Sequence, residues 1–274
     1  MSEPNTRAGT TLPALLTLPG DQQADLARAV ATLEGPSVAA RIAGVVGTSV
    51  DALKARLPGN VRDGVDGAVR RALEQAWRTA VSTEPRRTPL GMSPAWFHRG
   101  LVAATGAAGG ALGFLGTLAE LPISTTLMLR QIAAEAAAAG EDPKIAATAA
   151  ECLAVFALGS PRTAEDDPAE SGYFAARLAL AQLLPNAATS LTSSILPGFL
   201  GAIAARFTGA MGLKLSAQAV PVVGAATGAA INLAFMNHFQ STAWAHFTVR
   251  RLERQYGEGR IASAYKALRD GTAA

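Results

Sequence analysis

The stretch that decides the fold runs from Pro221 to Tyr256 and reads PVVGAATGAAINLAFMNHFQSTAWAHFTVRRLERQY. Ala, Leu, Met and Gln favour helix, and its only proline stands at the first position, where a helix tolerates it. We therefore predict one long helix. No Asp, Glu, Lys or Arg lies between Lys214 and Arg250, yet amides and imidazoles interrupt the apolar run. Such a helix is either a core helix with an internal polar site or a membrane-facing helix.

Polar and aromatic side chains recur on this helix at steps of seven residues, which keeps them on one slowly drifting face. The series is Asn232, Phe239, His246 and Glu253. Because Phe239 lies within it, this face cannot point entirely to water. We expect His246 to be buried and hydrogen-bonded, with the carboxylate of Glu120 or Glu253 close to its ring.

Two overlapping sets of candidate site residues come from polar side chains within apolar helices. The set that could bind a ligand comprises Arg130, Asn232, Phe235, Phe239, His246 and Arg250. The set that could hold a metal or polarise a water comprises Glu120, Glu135, His246 and Glu253. Neither set matches a standard catalytic signature, since HExxH, GxSxG and a P-loop are all missing. We predict no cofactor, and we favour a protein that is not an enzyme.

Structural interpretations of the same residues stay open. The carboxylate of Glu120, just before Pro122, can accept N–H bonds at a helix start. A lone histidine on an apolar helix is commonly a hydrogen-bonded core residue. Arg250 and Glu253 have the spacing of a surface ion pair.

An amphipathic helix is predicted over residues 60–82. Its apolar stripe, at every fourth position, is Val61, Val65, Val69, Leu73 and Trp77. Such a stripe must dock on a core or lie on a membrane surface. Because arginines flank it, we expect peripheral association with anionic lipid.

Glycine is concentrated in a charge-free run from Gly100 to Ala119, which holds Gly106, Gly109, Gly110, Gly113 and Gly116. Each glycine should weaken an isolated helix by roughly 1 kcal/mol. The run therefore makes sense if a second helix packs closely on it. We predict that Gly106–Gly116 packs against Gly224–Gly228, where small residues allow close approach.

The chain as a whole predicts an all-α, multi-helix bundle with a long central apolar helix and close-packed Gly/Ala-rich helices. We expect a flexible tail at 1–20, an amphipathic helical segment at 21–83 and a core domain at 90–270, divided by the turn-rich residues 84–94. Prolines and glycines predict helix ends within the core, including a new helix that starts at Pro122.

Composition narrows the function. Hydrophobic residues make up 49% of the chain and charged residues 16%, against an average of about 25% charged. The net charge is only +3, without basic clusters interleaved with aromatics, so we expect no nucleic-acid partner. A single cysteine, Cys152, excludes an internal disulfide, and the absence of a secretory signal favours the cytoplasm. Three apolar runs could span a bilayer on length alone, but we favour a folded core.

Three blocks carry a family resemblance: ELPISTTLMLRQIAAEA at 120–136, ECLAVFALGS at 151–160, and the block at 214–257 that contains the opening stretch. In order and spacing they resemble the EcsC family, over roughly residues 90–268. The resemblance implies an all-helical bacterial protein, and the family name implies a link to an ABC transporter. It implies a fold more than a function.

The sequence therefore predicts a non-catalytic helical protein that binds a lipid or other hydrophobic ligand. We expect it to associate peripherally with the inner face of the membrane, or with an ABC transporter. The alternative is a metal-assisted hydrolase that uses the Glu/His set.

Overall fold

The computed structural model describes residues 18–47, 49, 52, 65, 67–76, 99–101, 103–105, 107, 113–159, 172–183, 196–218 and 225–271. Its helices are α1 (Gly20–Leu33), α2 (Val38–Val46), α3 (Gly113–Ala138), α4 (Ala146–Leu158), α5 (Tyr173–Gln182), α6 (Leu196–Gln218), α7 (Ala225–Tyr256) and α8 (Glu258–Arg269). Residues 67–76 are also helical, and these ranges contain no strand. The predicted all-α class is confirmed.

The longest described helix is α7, with 32 residues. It packs against α1, α2, α3, α4, α6 and α8, so most of the described structure is arranged around it. The buried face of α7 is not uniformly apolar, because several polar side chains are buried among its phenylalanines. These are Asn232, His238, Thr242, His246, Thr248 and Glu253.

Two apolar clusters share α7. The larger cluster joins its first half to α2, residues 65–76, α3, α4 and α6. The smaller cluster joins its second half to α1, α8 and Tyr173. Since α1 and α2 pack directly on α7, these two helices of the segment at 21–83 pack together with helices that follow residue 113. The proposed connector at 84–94 lies outside the described residues.

The predicted helix start at Pro122 is wrong, because α3 runs without a break from Gly113 to Ala138 with Pro122 inside it. A proline within a helix removes one hydrogen bond and costs about 3 kcal/mol. Burial of the flanking Leu121 and Leu127 offsets that cost. Tertiary packing here outweighs the local signal.

Other helix ends agree better with the sequence. Gly140, with φ of +84°, follows the end of α3 in the left-handed conformation that glycine adopts without strain. Gly159 ends α4 as expected. Pro197 falls within the first turn of α6, where its missing N–H is tolerated, and α6 continues without a break to Gln218.

The amphipathic stripe faces the core in the described part of its helix. Val65, Val69 and Leu73 are at most 1% exposed and belong to the larger apolar cluster. Core docking is therefore the correct alternative for these positions, and they do not form a membrane-binding stripe. Val61 and Trp77 lie outside the described residues.

Within the described ranges no single helix is both long and apolar enough to cross a membrane, although α1 and α2, bent by 67°, pass that test of length and composition as a pair. The predicted glycine contact lies largely outside the described residues, since Gly106, Gly109, Gly110 and Gly224 are not among them. The helices that carry its remaining glycines, α3 and α7, do pack together.

Candidate functional site

His246 lies in the second half of α7 and is fully buried, as the seven-residue spacing predicts. Its Nδ1 atom is 2.8 Å from the Tyr173 hydroxyl of α5, and its Nε2 atom is 3.0 Å from Oε2 of Glu151 in α4. The carboxylate bonded to the ring is therefore neither Glu120 nor Glu253. The predicted carboxylate is wrong because tertiary packing, which the spacing along α7 does not specify, brings Glu151 to the ring from 95 positions earlier in the chain.

The protonation states follow from burial and from these partners. Burial alone would raise the pKa of Glu151, but the hydrogen bond from His246 and the positive charges of Arg250 and Arg177 lower it to about 2. Burial lowers the pKa of His246 and raises that of the Tyr173 hydroxyl. A neutral His246 therefore donates from Nε2 to ionised Glu151 and accepts at Nδ1 from Tyr173.

Arg250 extends this arrangement one helical turn further along α7. It donates from Nη1 to Oε1 of Glu151 at 2.7 Å, and from Nε and Nη2 to the two oxygens of Glu141 at 2.8 and 2.9 Å. Arg254 also bonds Glu141. We use the term His246 network for Tyr173, His246, Glu151, Arg250 and Glu141.

Glu253 pairs with a different helix. Both of its oxygens accept from Nη1 of Arg177 in α5, each at 2.8 Å. The predicted pair of Arg250 with Glu253 is not formed, because each side chain bonds to an oppositely charged group on another helix. Together these ion pairs tie α4 and α5 to the second half of α7.

Glu120 and Asn232 meet near the other end of α7, with a lysine that the sequence reasoning missed. Nζ of Lys214, in α6, is 2.5 Å from Oε1 of Glu120. The Asn232 amide donates to the same oxygen at 3.1 Å. All three side chains are buried, and no described residue hydrogen-bonds Oε2 of Glu120. We call this arrangement the Glu120 cluster.

The remaining predicted ligand-binding residues do not line the polar cavity that is described below. Phe235 and Phe239 are fully buried, and Phe239 packs against Phe156 and Phe207 with ring centroids 5.2 and 5.5 Å apart. Arg130 lies half-buried in α3. The two phenylalanines therefore build the core.

A polar cavity of about 590 Å³ lies on the opposite side of α7 from the His246 network. Its lining side chains come from α1, α3, α7 and residue 99. They are Arg28, Thr32, Arg99, Glu135, Asn237, Gln240, Ser241 and Trp244. Of the predicted site residues, only Glu135 belongs to it.

One glutamine organises the cavity wall. The Gln240 amide accepts from Nη2 of Arg99 at 3.0 Å and donates to Oε1 of Glu135 at 3.0 Å. Gln131 donates to the same Glu135 oxygen at 3.2 Å. The guanidinium of Arg28 lies 4.5 Å above the Trp244 ring, a cation–π contact.

A sequence signal for this cavity exists. Asn237, Gln240, Ser241 and Trp244 follow the spacing i, i+3, i+4, i+7, which places them on one face of a helix. The seven-residue series through His246 runs along the opposite face, so analysis of that series alone misses the cavity.

The predicted metal-binding set is not brought together. Glu120 pairs with Lys214, Glu135 lies in the polar cavity, and Glu253 pairs with Arg177. Within the described ranges, no group of three or more His, Cys, Asp and Glu side chains is placed to hold a metal ion. Cys152 is buried in the core, and burial raises the pKa of its thiol, as expected of an unreactive packing residue.

These features define an all-α protein whose longest described helix carries a closed ionic network on one face and a polar cavity on the other. The chain belongs to the EcsC family: the model of the EcsC protein family matches residues 50–252. The match includes more of the N-terminal helices than the sequence blocks indicate. Comparisons with curated proteins and with solved structures found no match to this chain.

Proposed function

We propose that this chain is a non-catalytic binding protein that holds a lipid or another hydrophobic molecule with a polar headgroup, and that it acts at the membrane or beside a membrane transporter. The observation that carries the proposal is the polar cavity. Its volume of about 590 Å³ falls within the roughly 300–1,000 Å³ of small-molecule sites. Trp244 gives it an aromatic face beside polar recognition groups, which include two arginines.

The hydrogen bonding of the two polar regions favours binding over catalysis. A general base needs a nitrogen or oxygen that can reach a substrate proton. Both ring nitrogens of His246 are already bonded, and the side chain is fully buried. In the cavity, Glu135 has neither a histidine nor a second carboxylate among the other lining residues. Among the described residues, the hydrolase alternative therefore has no assembled site.

Exposed apolar side chains support contact with a membrane or a membrane protein. Ile123, Ile145 and Leu178 are 54%, 56% and 60% exposed. Single exposed apolar residues are common on soluble proteins, so these three side chains support membrane contact only together with the polar cavity. Buried Val65, Val69 and Leu73 supply no such contact.

Lipid analysis of the purified protein tests the proposal. Protein prepared without detergent should release a lipid or amphipathic molecule on solvent extraction, in near-stoichiometric amount by mass spectrometry. It should also float with vesicles of phosphatidylethanolamine and phosphatidylglycerol. Protein without extractable ligand that stays in the soluble fraction beside those vesicles would overturn the proposal.

A further inference from the structure

The geometry of the polar cavity points to the chemical class of its ligand. We infer that the cavity recognises a zwitterionic group, with an anionic phosphate or carboxylate against Arg99 and a primary ammonium against Glu135. The inference deepens the proposed function and rests on it, since a lipid headgroup is one source of such a group. A free small molecule of the same chemistry is the other source.

The positive pole is the guanidinium of Arg99. It donates one hydrogen bond to Gln240, and no carboxylate among the described residues pairs with it. Its other N–H groups therefore remain available in a geometry that suits phosphate or carboxylate oxygens. Arg28 is less available, because Asp25 pairs with it at 2.6 Å and its guanidinium lies over Trp244.

The negative pole is the carboxylate of Glu135. Its Oε1 atom accepts from Gln240 and Gln131, and within the described ranges no side chain donates to Oε2. That oxygen remains free to accept an N–H bond from a ligand. A simple anion is a poor match for the cavity, since the Glu135 charge repels it.

The Gln240 amide sets the distance between the poles. Arg99 and Glu135 are bonded to opposite ends of the same amide, so two hydrogen bonds and one amide separate their charged groups. A ligand whose opposite charges are two carbons apart, such as phosphoethanolamine, can span a separation of this kind. A quaternary ammonium has no N–H to donate to Glu135, and Arg28 occupies the Trp244 face that could otherwise hold one.

Calorimetric titration of the full chain with soluble headgroups tests the inference. Glycerophosphoethanolamine should bind, whereas glycerophosphocholine and inorganic phosphate should bind at least about tenfold more weakly, the loss expected for one charge-assisted hydrogen bond. Arg99→Gln and Glu135→Gln should each weaken glycerophosphoethanolamine by about the same factor. Only Glu135→Gln should retain or strengthen phosphate binding, because it removes the repulsive charge.

Arg260→Gln is the matched control, since Arg260 is an exposed arginine on α8 that stacks on Tyr256 and does not line the cavity. It should bind as the wild type does, and thermal melts should show that all three variants fold. If vesicles of phosphatidylethanolamine bind the wild type but not Arg99→Gln, the zwitterionic group belongs to a lipid. Binding of the soluble headgroup alone identifies a free ligand.

Equal affinity for the ethanolamine and choline compounds, no binding of either, or variants that bind as well as the wild type would overturn the inference. If the purified protein still carries a lipid in those cases, the proposed function stands and only the headgroup assignment fails.

Discussion

The two opposite faces of α7 are both polar, but they use their polar groups differently. On one face, His246 and Arg250 bond to Tyr173, Glu151 and Glu141, so their hydrogen-bonding groups are directed at other helices. On the other face, Gln240 joins Arg99 to Glu135, and both of those charged groups keep unused hydrogen-bonding capacity toward the cavity. The first arrangement fastens helices, whereas the second can accept a ligand.

The comparison shows that burial and bonding, rather than residue type, separate a structural cluster from a binding site. A histidine between a tyrosine and a glutamate has the residue types of a catalytic relay. Here, however, the ring is fully buried. Satisfied buried networks of this kind make a core specific and rigid, and removal of one member leaves a hydrogen-bonding group of each direct partner unsatisfied.

The largest expected effect of a substitution comes from the Glu120 cluster, where two buried opposite charges meet beside the first half of α7. Lys214→Met should lower the free energy of unfolding by about 3–5 kcal/mol, because it leaves the buried Glu120 carboxylate without its charge partner. Urea denaturation measures the change. The double variant Glu120→Gln/Lys214→Met should regain most of the loss, because neither charge remains. Equal losses in the single and double variants would contradict a coupled pair.

A second prediction concerns the pH dependence of stability and another buried histidine of α7, His238. Nε2 of His238 donates to the carbonyl of Gly159 at 2.6 Å. Burial lowers the pKa of His238 from 6.5 to about 4, with help from the Arg41 charge and against the hydrogen bond to Gly159. Between those pH values the unfolded chain binds a proton that the folded protein does not. Stability should therefore be fully present above pH 6.5 and fall as pH drops toward 4.

Across this window His238 should lower the free energy of unfolding by about 3 kcal/mol, since each unit of difference between its folded and unfolded pKa corresponds to about 1.4 kcal/mol. The free energy of unfolding of the wild type and of His238→Gln should be measured at several pH values in that window. The difference between the two proteins separates the contribution of His238 from other titrations. The glutamine amide can still donate to the Gly159 carbonyl but does not titrate. Parallel curves for the two proteins would show that His238 does not lose its charge on folding.

Features set by local residue spacing could be predicted from the sequence. The helix over Ala225–Tyr256, the helix end at Gly140 and the burial of His246 all follow from spacing along a few turns. The partners of the buried charges could not be predicted in the same way. Glu151 lies 95 positions from His246, and Lys214 lies 94 positions from Glu120, so only tertiary packing brings each pair together.

The open alternative for the apolar stripe and the wrong helix start at Pro122 have a common physical reason. A local sequence pattern does not specify what packs against it. An apolar stripe such as Val65, Val69 and Leu73 has the same spacing whether it docks on a core or on lipid. Pro122 is likewise a helix breaker in isolation, but buried neighbours keep α3 continuous. The polar cavity could have been predicted from the sequence, because the spacing of its α7 residues places them on one helix face. These residues are Asn237, Gln240, Ser241 and Trp244.

The central claim is that the cavity face of α7 binds the ligand and the His246 face is structural. The most direct test compares, by mass spectrometry, the amphipathic ligand extracted from wild type, Arg99→Gln and Arg260→Gln. Surface substitutions of this type should change stability by no more than about 0.5 kcal/mol, so all three proteins should fold. We predict equal ligand in the wild type and Arg260→Gln and little or none in Arg99→Gln. Equal ligand in all three proteins would contradict the assignment of the site to the cavity.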